Sequence, residues 1–140
     1  MLKEFIIDVY KKPIWIATDI EEAKKFFSKD YKERGCNDHR WCIEGADAMT
    51  MDVYDNNHNV GILIYFDIDY INDIGTGSNV VNVIAHESYH AADMLRTFLD
   101  LTYNGDADNE HIAYLVGYIA ECCWKTIGPY IKGTSKSKKK

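Results

Sequence analysis

The stretch Val83–Asp93, VIAHESYHAAD, holds His86, Glu87 and His90 in the order H-E-x2-H. Two histidines four residues apart on a helix lie about 40° apart around its axis, so their rings can converge on one point. Glu87 follows about 60° beyond His90, beside that point and not aimed at it. Two readings meet here: a metal site with its general base, or a helix that carries two imidazoles.

The surrounding pattern is helical. Val80, Val81, Ile84, Ala91, Leu95, Phe98 and Leu99 form an apolar arc within a helix of about 79–101. The histidines flank that arc, as residues at the lip of a cleft would. Gly75, Thr76, Gly77 and Ser78 precede and cap this helix, and Asn104-Gly105 ends it. A last helix, about 108–126, is capped by Asp106 or Asp108 and stopped by Gly128-Pro129. On it, Ala113, Gly117 and Ala120 form a small-residue strip that permits close approach to a neighbour.

Towards the N-terminus, Leu2–Tyr10 is β-branched and aromatic and reads as a strand. Pro13 punctuates it, and Ile14–Ala17 reads as a second. Thr18 with Glu21 forms a capping box, with Asp19 as the alternative cap, for a helix to about Lys29 with Ala23, Phe26 and Phe27 inward. The region from about Tyr31 to Gly45 reads as irregular. Ala48–Tyr54 and Val60–Phe66 read as strands joined by the turn-rich Asp55-Asn56-Asn57-His58-Asn59. The expected order is β-β-α-β-β-α-α, an α+β fold with helices packed on a small twisted sheet.

At 140 residues the chain reads as one domain, 1–131, with a flexible basic tail at 132–140. The formal net charge of −6 conceals an asymmetry. The last nine residues carry five of the 16 Lys and Arg, leaving 11 against 22 Asp and Glu in the body. Such an acidic body argues against nucleic acid as a partner. No apolar run approaches membrane-spanning length, and no secretory signal is evident. Cys36, Cys42, Cys122 and Cys123 then read as reduced thiols of a cytoplasmic protein. Cys36, His39 and Cys42 offer metal-capable atoms, but their spacing fits no common zinc knuckle and they read as a loop.

A catalytic zinc takes three protein ligands and keeps one open position. Glu110 lies 20 residues after His90, giving H-E-x2-H-x19-E. An antiparallel return of the second helix would bring it beside the histidines. His86, Glu87, His90 and Glu110 resemble the gluzincin zinc metallopeptidases typified by thermolysin, whose x19 spacing they share. Asn109 matches that family's Asn-Glu pair, in which the amide supports a zinc-binding histidine. The resemblance covers about Val83–Tyr114. The size is similar to the reduced cores called minigluzincins, which include small bacterial and phage zincins. Where those enzymes carry an aspartate that orients the first histidine, this chain has Tyr114, so Asp93 or a backbone carbonyl must serve instead.

The resemblance implies a zincin-like fold and one zinc held by His86, His90 and Glu110. It further implies peptide-bond hydrolysis with Glu87 as general base and a protein or peptide substrate added along Gly61–Phe66 as the sheet edge. Tyr103 and Tyr114 are oxyanion candidates. The rival readings are a zincin fold without catalysis that binds a partner, and a metal hydrolase of another substrate.

Overall fold

The computed structural model describes residues 1–35, 41–43, 45–74, 77–101 and 109–132. The architecture is α+β. Strands β1 (Leu2–Ile7), β2 (Lys12–Ala17), β3 (Ala48–Tyr54) and β4 (Val60–Phe66) form one mixed sheet in the order β1-β2-β4-β3. Helices α1 (Ile20–Phe26) and α2 (Ser28–Asp30) lead into a π-helical turn, Tyr31–Gly35, before β3. After β4 come α3 (Ile68–Ile74), α4 (Gly77–Phe98), α5 (Glu110–Ile127) and a 3-10 turn, Gly128–Tyr130.

β2 and β4 run parallel at the centre, with β1 and β3 antiparallel outside them. A central pair covered on both faces should be apolar at consecutive positions. Ile14–Ala17 and Ile62–Tyr65 meet this condition and are buried throughout. Alternation then sorts side chains to opposite faces. Ile14, Ile16, Ile62, Ile64 and Phe66 pack with Ile84, Ala91, Leu95, Leu115 and Ile119 of α4 and α5. Trp15, Ala17, Leu63 and Tyr65 pack with Ala23 and Phe27 of α1 and with Trp41.

The parallel pair is close enough to dictate a glycine. A Cβ on Gly61 would lie 2.3 Å from the Pro13 carbonyl oxygen and 2.6 Å from the Trp15 ring. Both obstacles belong to β2, so any side chain here would force the two strands apart.

Several sequence expectations are corrected. The first strand ends at Ile7, where Ile7 O accepts from Tyr10 N and Lys11 N, and Pro13 lies inside β2. Asp19, the alternative cap, starts α1 by accepting from Glu21 N and Glu22 N at 3.0 and 3.1 Å. Phe26 is exposed, because Ala23 and Phe27 occupy the inward face of so short a helix. A helix, α3, occupies the stretch before α4. Asp67 caps it, accepting from Tyr70 N through Oδ1 at 2.9 Å. Val81 and Phe98 are exposed, and the arc of α4 continues instead through Glu87, Ser88 and Ala92. Ala113 and Gly117 face outward, and of the small strip Ala120 alone packs against the core; Ile112, Leu115, Ile119, Cys122, Cys123, Thr126 and Ile127 are the buried positions of α5. Gly61–Phe66 is no edge, since β4 is flanked by β2 and β3. The proposed caps at 76, 106 and 108 lie outside the described residues, as does the tail beyond 132.

The edge strand β3 is fastened by a buried carboxylate. Asp30 is fully buried and accepts from Trp41 Nε1 at 3.2 Å and Tyr54 N at 2.9 Å. It also pairs with Arg34, whose Nη1 reaches Asp52 Oδ2 at 2.8 Å. Removing one member of such a buried set leaves the others uncompensated. Asp30→Ala should therefore cost roughly 3–5 kcal/mol in urea unfolding. A loss below ~1 kcal/mol would mean that the network is not a fastening.

Candidate active site

The register of β3 on β4 decides which β3 side chains look towards α4. Thr50 pairs with Ile64, whose side chain is in the α4–α5 core, so Thr50 shares that face. Glu87, on the middle turn of α4, meets it there. Thr50 Oγ1 donates to Glu87 Oε2 at 2.6 Å. Glu87 is only 6% exposed, and a carboxylate so enclosed needs such a donor. Its other oxygen, Oε1, lies 4.0 Å from His86 Nε2.

The two histidines stand above this carboxylate, on the exposed side of the helix. Their rings are edge to face, 79° apart, with Nε2 of one 3.0 Å from Nε2 of the other. At that separation one ring N–H can donate to the other ring's lone pair. The same separation lets both lone pairs reach a single ion with bonds of about 2.0–2.1 Å, the zinc–imidazole length. Two imidazoles so placed supply two of the three protein ligands that a catalytic zinc takes.

Glu110 does not come with them. It opens α5, exposed, about 180° around that helix from the centre of its buried face. Among the described residues no three His, Cys, Asp or Glu side chains gather as a metal site. Asn109 precedes it as the N-cap residue, and its carbonyl oxygen accepts from Ile112 N and Ala113 N. The carboxylate of Asp93 is engaged by Arg96 Nε at 2.9 Å. Tyr114 is 75% exposed and belongs to a different cavity, between α5 and the β1–β2 turn, with His111 and Tyr118. Tyr103, Cys36 and His39 lie outside the described residues; Cys42 is exposed.

The cleft at the site has a volume of ≈ 370 Å³ and is lined by Asp47, Ala48, Asn82, Val83, His86 and Glu87. Asp47 and Thr50 carry no local motif in the sequence. The register of β3 on β4 is the signal for Thr50, since position 50 must face the helix once Ile64 does. Behind the site, α5 touches the same helix. Burial pushes the Cys123 thiol up to about 12, and the neighbouring Ser88 hydroxyl works in the other direction.

No known protein family, curated protein or solved structure matches this chain. No helix among the described residues is long and apolar enough to cross a membrane.

The Thr50–Glu87 contact is testable by a double-mutant cycle. Thr50→Val and Glu87→Ala should fail to add in urea unfolding, by roughly 0.5–3 kcal/mol. Strict additivity would show that the hydroxyl does not hold the carboxylate.

Proposed function

We propose that the chain is a zinc-dependent peptidase of compact, gluzincin-like build, working in the cytoplasm on a protein or peptide substrate. One observation carries this reading. A buried carboxylate has one oxygen tied to the sheet edge and the other 4.0 Å from the His86 ring, whose Nε2 converges with that of His90. His86 and His90 would hold the ion. The spacing assigns the third position to Glu110, which then has to approach from the head of α5. Bound zinc would supply a Lewis acid for the carbonyl and lower the pKa of water.

Glu87 supplies the base. With Oε2 occupied by Thr50, Oε1 accepts a proton from the attacking water and returns it to the departing amine. Thr50 is a positioning residue, since it fixes the rotamer of the base without meeting substrate. β3 is the sheet edge beside the base, so an extended substrate would pair along β3 by strand addition.

Two experiments test this. Purified protein should bind about one zinc per chain, with content falling in His86→Ala, His90→Ala and Glu110→Gln. Unchanged zinc in Glu110→Gln would remove Glu110 from the ligand set. Separately, Glu87→Gln should keep zinc and fold while losing turnover by roughly 10²–10⁴-fold. The rival is a zincin-like binding module without catalysis, which the exposed position of Glu110 favours. It becomes the better reading if wild type cleaves nothing in a proteome-wide substrate screen.

A further inference from the structure

The cleft at Glu87 does not end there. A second cavity of ≈ 230 Å³ continues from it along the N-terminal half of α4, and the two share Asp47, Asn82 and Val83. Its remaining lining is Ile71 and Asn79. Ile71 is buried and gives an apolar floor, Asn79 and Asn82 give a polar rim, and half-buried Asp47 stands at the junction. Asp47 Oδ1 accepts from Ala48 N at 2.9 Å, which orients the carboxylate.

Among the described residues that line the two cavities, Asp47 and Glu87 are the carboxylates and there is no Lys or Arg. From Trp41 to Leu95 the sequence contains nine Asp and Glu and no Lys or Arg. Of the flanking arginines, Arg34 is committed to Asp30 and Asp52 and Arg96 to Asp93, while Arg40 lies outside the described residues. A cleft lined by one sign of charge concentrates the opposite sign. An apolar floor under a carboxylate suits a side chain with a methylene stem and a cationic end.

We infer that this groove selects a substrate lysine or arginine next to the bond presented to Glu87, with Asp47 as its counter-charge. The inference rests on the peptidase reading for the scissile bond and on the groove alone for the selection. The stem lies over Ile71 and Val83, the cation meets Asp47, and the amides of Asn79 and Asn82 face its remaining donors. Asp47 is thus a specificity residue, and an acidic peptide is rejected by the same field.

The test separates selection from cleavage. End-blocked, fluorescently labelled octapeptides alike except for one central residue, lysine, arginine, norleucine or glutamate, are titrated by anisotropy. The binding protein is the full chain carrying Glu87→Gln, with one equivalent of zinc. Lysine and arginine peptides should bind about ten-fold or more tightly than norleucine and glutamate peptides, with the preference shrinking as salt rises. Asp47→Asn keeps the acceptor for Ala48 N but removes the charge, and should bring lysine down to the norleucine level. Asn82→Lys should do the same by placing a cation in the groove. Equal binding of lysine and norleucine peptides, no binding of any, or a preference that survives both substitutions would overturn the inference. The same peptides are then offered to the chain with Glu87 intact. Selective binding without cleavage of any peptide would sink the peptidase reading and leave the groove's selectivity standing. Cleavage with no basic preference would do the reverse.

Discussion

A carboxylate removed from water must be given back what water supplied, and the geometry around Glu87 follows from that constraint. The donor is a hydroxyl on β3, at 2.6 Å. For it to be there, β3 must pair with β4 in one register, because a slip of a single residue would turn Thr50 to the other face. That register is held at the hairpin end of the strand. The hairpin at 55–59 is folded by Asp55, which accepts from Asn57 N and Asn59 N, while Asp30 grips Tyr54 N at the end of β3. The position of the base is therefore set by contacts on both faces of the sheet.

Much of the scaffold is legible in the sequence. The continuous apolar runs at 14–17 and 62–66 mark strands with two covered faces, and the turn chemistry at 55–59 marks the hairpin. The helix of His86 and His90 is visible in its periodicity. Strand order is not visible, because consecutive strands most often lie side by side, and here β3 stands outside β4 while β4 crosses back to β2. That exchange puts β3, and not β4, at the edge. Gly61 is the residue that betrays it, since an isolated glycine in an apolar strand signals a close backbone neighbour.

At the site, the same division holds. The local part, two imidazoles four residues apart with a carboxylate beside them, follows from helical periodicity and is found assembled. The non-local part depends on how α5 returns across α4. The small strip at Ala113, Gly117 and Ala120 suggested one rotation of α5. Packing chose the stronger apolar stripe through Ile112, Leu115 and Ile119, and this turns Glu110 outward. A spacing of x19 counts residues without specifying which way the second helix is rolled.

The roll of α5 has another result, at the back of the site helix. Cys123 is fully buried against α4, and its thiol is held in the protonated form. A thiol in that state is a poor nucleophile and a poor metal ligand, so it does not compete with imidazole for a soft ion. It reacts only when α4 and α5 separate. The rate at which a thiol-specific reagent labels Cys123 is thus an intrinsic clock for the opening of this helix pair.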